Sequence, residues 1–149
     1  MKIERIEQFL AATPMLAGLS PEDRLRLVQC ADEVTFRPGD YLARTGYPAD
    51  RFFIVVRGRV QLEVSSPARD PVALDVFGPH EIVGWSWLLA PYHWHLDARA
   101  LDDTLTLGLD GATLRVWMDA DPAFGYALLR PFATVIVQRL QAARMRLLA

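Results

Sequence analysis

From residue 32 to residue 109 the apolar side chains recur at about every second position, in short bursts that Gly and Pro residues cut off. A period of two is the rhythm of a strand whose alternate residues face a core and the other side of a sheet. The bursts are Glu33–Phe36, Asp40–Ala43, Phe52–Arg57, Val60–Ser65, Val72–Phe77, His95–Leu101 and Thr104–Leu109. Between them stand Arg37-Pro38-Gly39-Asp40, Gly46-Tyr47-Pro48, Arg57-Gly58-Arg59 and Gly78-Pro79, all turn-forming combinations. Short strands in this number, joined by such turns, bury their apolar faces by closing on one another as a sandwich or a jelly-roll barrel.

Both flanks keep a helical rhythm instead. Ile3, Ile6, Phe9 and Leu10 have helical spacing, and Ser20-Pro21-Glu22-Asp23 combines a cap, a first-turn proline and two acids at the positive helix end. Leu25, Leu27, Val28 and Cys30 follow on that second helix. Past Asp110 the helical period returns, and Asp121-Pro122 starts a long helix. Pro131 lies inside it and is expected to kink or divide it. The expectation is one domain over 1–149: N-terminal helices in 3–31, a β-barrel of eight strands or nearly so in 32–109, and C-terminal helices in 111–149.

Composition narrows the function classes. Hydrophobic residues make up 52% and charged ones 23% of the 149 residues, the range of a globular chain with a real core. No apolar run approaches the roughly 20 residues that span a bilayer, and the first residues are not a signal peptide, so a cytoplasmic protein is expected. A net charge of −2 supplies no general attraction to nucleic acid. Cys30, the lone cysteine, has no disulfide partner and reads as structural.

Phe36-x-x-Gly39-x-x-Leu42-x-x-x-Gly46, followed by the run from Phe52 to Val60 with Gly58 inside it, resembles the first half of a cyclic-nucleotide-binding domain. The long helix after the barrel resembles the dimer helix of the catabolite activator superfamily. The resemblance covers roughly residues 15–147 and implies the jelly-roll fold. In that family a Gly-Glu pair opens a short helix after the sixth strand, and an Arg comes about ten residues later. The helix start and the arginine hold the cyclic phosphate; the glutamate takes the ribose hydroxyl.

Here the segment reads Gly84-Trp85-Ser86-Trp87-Leu88, then Trp94-His95. Gly84 keeps its place, Trp85 stands at the glutamate position, and Trp94 and His95 stand at the arginine position and the next. The positions facing adenine fall on Ala143 and Arg144. Leaving a buried charge without its partner costs about 3–5 kcal/mol, so loss of the arginine alone weakens anion binding roughly hundreds-fold or more. Cyclic AMP is therefore not expected in the usual pose. The segment resembles that of short, stand-alone superfamily members.

Three readings of the tryptophan-rich segment stay open: a plugged barrel, a pocket remodelled for a flat or apolar ligand, and a cyclic-nucleotide receptor with an altered pose. The candidate pocket residues are Gly84, Trp85, Ser86, Trp87, Trp94, His95, Arg99 and Arg144. Arg99 is the nearest cation to the missing clamp, although a barrel strand also shows arginine to solvent.

Other chemistry is less well supported. His93, His95 and Asp97 alternate along one strand face, as cupin-type metal ligands do, but a further ligand would have to come from His80. No nucleophile elbow or phosphate loop is present, no cofactor is implied, and catalysis is not expected. No helix-turn-helix follows the long helix, so no DNA-reading element is expected in this chain. The stripe Leu128, Phe132, Val135, Ile136, Leu140, Ala143 and Leu147 suits a homodimer seam or packing on the chain's own barrel. The leading expectation is a non-catalytic sensor or regulatory domain that answers a small ligand or a partner protein.

Overall fold

The computed structural model describes residues 2–149. Two N-terminal helices, α1 (Ile3–Ala11) and α2 (Pro21–Gln29), are separated by a 3-10 turn over Pro14–Leu16. Ser20 caps α2 by accepting the Asp23 amide, as its position before Pro21 predicts. Eight strands follow: β1 (Ala31–Phe36), β2 (Tyr41–Ala43), β3 (Arg51–Arg57), β4 (Val60–Ser66), β5 (Arg69–Phe77), β6 (Ile82–Val83), β7 (Asp97–Ala100) and β8 (Thr104–Asp110). Two helices close the chain, α3 (Gly111–Ala120) and α4 (Pro122–Arg146).

The strands form two antiparallel four-stranded sheets, ordered β1-β8-β3-β6 and β2-β7-β4-β5. The central strands β8 and β3 of the first sheet are buried on both faces. Phe52 and Ile54 of β3 join the helical core with Leu10, Leu27, Leu114, Leu128 and Phe132. Phe53 and Val55 turn the other way, into the barrel interior with Val60, Phe77, Val83 and Trp94. That double burial is why residues 52–56 read as an unbroken apolar run.

Several boundaries move. Strand β6, two residues long, is too short to show a period, and β5 begins at Arg69 with Pro71 inside it. The proline is tolerated because β5 is an edge strand. The strand expected from His95 starts only at Asp97. Helix α4 runs unbroken through Pro131. The ring forfeits one backbone bond, while fully buried Leu128 and Phe132 anchor the same turns to the core. The turn glycines Gly39, Gly46 and Gly58 have φ of 92°, 86° and 98°. Gly58 is also sterically required, since a Cβ there would lie 2.6 Å from Thr104 Oγ1 and 2.7 Å from the Asp103 carbonyl.

Cys30 caps the end of α2 and packs against the helical core, and burial pushes its thiol up to about 11. Its structural role fits that inert state.

Candidate functional site

The loop leaving β6 carries the segment that begins at Gly84. Instead of a helix start, Trp85 to Leu88 form a turn closed by the Leu88 amide on the Trp85 carbonyl at 3.0 Å. Beside it lies a cavity of about 120 Å3 lined by Gly84, Trp85, Ser86, Trp94 and His95, with Leu62 and Ala98 from the second sheet. Small-molecule sites span about 300–1,000 Å3, so the space suits an ion or a few heavy atoms.

Trp94 explains the small volume. Gly84 has φ of 101°, and a Cβ there would lie 2.4 Å from Trp94 Cη2 and 2.5 Å from Cζ3. The indole therefore lies directly on the glycine backbone, inside the barrel core. Trp85 packs partly on the helical core and forms the wall toward α4.

Five of the eight expected pocket residues meet here: Gly84, Trp85, Ser86, Trp94 and His95. Trp87 does not. It is fully buried in the helical core, stacked on Phe52 at 5.0 Å and edge-on to Phe132 at 5.2 Å. Arg99 faces the opposite side of its strand. Ala98 pairs with Leu62 and both line the cavity, so Arg99, one residue on, points outward. There it donates from Nε to Glu63 Oε1 at 2.7 Å, and Glu63 is fully buried. Arg144 lies on the exposed end of α4 and does not reach the cavity.

The cation that does reach it is Arg139. Its guanidinium lies 4.1 Å from the Phe77 ring centroid and 5.1 Å from that of Trp85, and donates to the Ile82 carbonyl. Burial pulls its pKa below the ordinary arginine value, only partly offset by Asp75 and Glu81. It makes no ion pair with a described carboxylate. The sequence did hold a signal for it: Arg139 continues the inward stripe of Leu128, Phe132 and Val135 at spacings of three and four.

The metal alternative is corrected by the same geometry. Both Asp97 oxygens are engaged: Oδ1 by the Thr45 amide at 2.7 Å and hydroxyl at 3.0 Å, Oδ2 by the Ser65 hydroxyl at 2.5 Å. Burial alone would raise the Asp97 pKa, but these bonds, with Arg44 nearby, hold it below the usual carboxylate range. His80 is far from His93 and His95 in its contacts, stacked on Phe9 at 4.3 Å with Nδ1 2.9 Å from Thr13 Oγ1. Among the described residues no group of three His, Cys, Asp or Glu is placed to hold a metal ion.

The expected dimer stripe divides. Leu128 and Phe132 are fully buried in the chain's own core, and Val135 borders a second cavity. Leu140 and Leu147 are 48% and 85% exposed. With Leu129, Ala133, Ile136 and Ala143 they follow a strict four-three alternation along α4. Among the described residues no helix is long and apolar enough to cross a membrane.

The family model of the cyclic nucleotide-binding domain matches residues 33–121. A solved protein of Geobacter metallireducens GS-15, named for cyclic nucleotide binding, is 26% identical with a TM-score of 0.80, covering 94% of this chain and 98% of its own. The N-terminal domain of a transcriptional regulator from Streptomyces coelicolor A3(2) is 32% identical with a TM-score of 0.71, covering 90% and 94%. A CRP-like cAMP-activated global transcriptional regulator of Mycobacterium tuberculosis is 24% identical over 86% of this chain. The chain spans 57% of that regulator's length.

Proposed function

The chain belongs to the cyclic nucleotide-binding domain family, and from that premise we propose that it is a non-catalytic regulatory module that does not hold cyclic AMP in the usual way. The contact between Trp94 and Gly84 carries this reading. An indole occupies the space over the glycine, Trp85 stands where a ribose acceptor is expected, and the strand arginine is committed to Glu63. A volume of about 120 Å3 is left for any occupant. The input is a small ligand or a partner protein. The output is the position of α4, whose exposed four-three seam joins two copies of the chain.

A second reading is a cyclic-nucleotide receptor with an altered pose. One observation favours it: Arg139 brings a cation to the cavity from α4 instead of from a strand. Calorimetry with cyclic AMP and cyclic GMP separates the two. The expected result is no sub-micromolar binding of either nucleotide. Sub-micromolar binding of one of them overturns the first reading in favour of the second.

A further inference from the structure

A second cavity, of about 570 Å3, lies on the other side of Arg139, between α4, the β5–β6 connection and the 3-10 turn. That volume is within the range of small-molecule sites. Its apolar lining includes Met15, Phe77, Ile82 and Val135. Three charged side chains border it. Asp75 is neutralised by Arg146 at 3.4 Å. The other two, Glu81 and Arg139, make no ion pair with each other or with any other described residue.

Each of these two is positioned from below. The Gly78 amide donates to Glu81 Oε1 at 3.0 Å, which fixes the carboxylate at the rim and leaves Oε2 for another donor. Arg139 is held by the Ile82 carbonyl and the Phe77 and Trp85 rings. Opposite charges that share one groove without pairing select against a ligand of single sign, which satisfies one and is repelled by the other. A ligand carrying both signs satisfies both through charge-assisted hydrogen bonds. We propose that this groove binds a zwitterionic small molecule with an apolar side chain, of the α-amino-acid class, its carboxylate on Arg139 and its ammonium on Glu81.

The groove shares Arg139 with the barrel cavity and otherwise has its own lining, on the other side of that side chain. Val135, Gln138 and Ala142 face the groove, whereas Ala133, Leu140 and Leu147 form the exposed seam. At 3.6 residues per turn the two faces are roughly 150° apart around α4, so a dimer built on the seam leaves the groove open. Because the groove joins α4 to the barrel and the N-terminal turn, an occupant holds all three together.

Calorimetry of the full chain with L-leucine, L-phenylalanine and L-tryptophan tests the proposal, with 3-phenylpropionate and 2-phenylethylamine as analogues lacking one charge. At least one amino acid is expected to bind saturably. Glu81→Gln, Arg139→Gln and removal of either ligand charge are each expected to weaken binding at least about tenfold. Glu81 is exposed, so its variant keeps the test independent of folding, and Ala142→Trp is expected to block the groove. His95→Ala, at an exposed position lining only the other cavity, is expected to leave amino-acid binding unchanged. No saturable binding at millimolar concentration overturns the proposal. So does binding indifferent to Glu81→Gln and Ala142→Trp, or equal affinity for an analogue with one charge. Neither result bears on cyclic-nucleotide affinity, which is measured separately.

Discussion

At Gly84 two costs of adding a side chain coincide. The positive φ is strained for any other residue, by about 1–3 kcal/mol, and the new Cβ overlaps the Trp94 ring, which adds about 1–3 kcal/mol. Gly84→Ala is therefore expected to lower unfolding stability by the sum of the two, measured in urea. Trp94→Ala alone leaves a cavity at a cost of about 3–5 kcal/mol. In the double variant the overlap disappears while the strain remains, so the two changes cost less together than apart. Simple additivity would mean that the ring does not rest on the glycine. The sequence placed Trp94 in the candidate pocket, and it does line the cavity. That its ring lies on Gly84, ten residues earlier, was not legible there, because the loop between them follows no period.

Among the elements, the second sheet is tied together by Asp97, which receives hydrogen bonds from Thr45 just after β2 and from Ser65 in β4. Its folded pKa is depressed. The group therefore contributes stability at pH values above its unfolded pKa and loses it as pH falls through the lower folded value. Asp97→Asn is expected to lower stability at neutral pH and to flatten the acid limb of stability against pH. An unchanged acid limb would show that Asp97 is not the group responsible. Strand alternation also decided Arg99: one residue along β7 separates the cavity from the outer face, and a register cannot be read from one strand alone. Helix α4 carries the element-scale test of self-association. Leu140→Glu, on a half-exposed position, is expected to cost the monomer no more than about 0.5 kcal/mol. It should also convert a dimer into a monomer in size-exclusion chromatography with light scattering. A wild-type monomer at micromolar concentration would remove the seam from the proposed output.

Across the whole molecule, α4 is bound to the barrel by two arginines at different heights. Arg139 donates to the Ile82 carbonyl beside the cavities, and Arg146 donates to the Leu74 carbonyl and pairs with Asp75. The first turns of α4 are instead anchored by buried Phe124, Leu128 and Phe132. In a Leu140→Glu background, Arg139→Met with Arg146→Ala is expected to speed amide exchange over residues 133–146 at least about tenfold. The barrel amides should stay protected, because local opening follows local contacts. Equal protection with and without the arginines would place the hold on α4 elsewhere.

Local patterns were enough to find the barrel, the flanking helices, the turn glycines and the candidate pocket segment from Gly84 to His95. These are local matters: a period of two or of 3.6, a proline in a first turn, a tryptophan-rich run after a glycine. The tertiary structure decided which arginine faces a cavity, which tryptophan lines one and which half of α4 is exposed. Arg99, Arg139 and Arg144 are chemically the same in the sequence. One is turned outward by strand alternation, one inward by the rotation of α4 on the barrel, and one points away from the barrel on the opposite side of α4 from Arg146. Those orientations are fixed by contacts between residues far apart in the chain, such as Phe52 with Phe132 and Ile82 with Arg139, and of the three only Arg139, on its inward stripe, left a local signal.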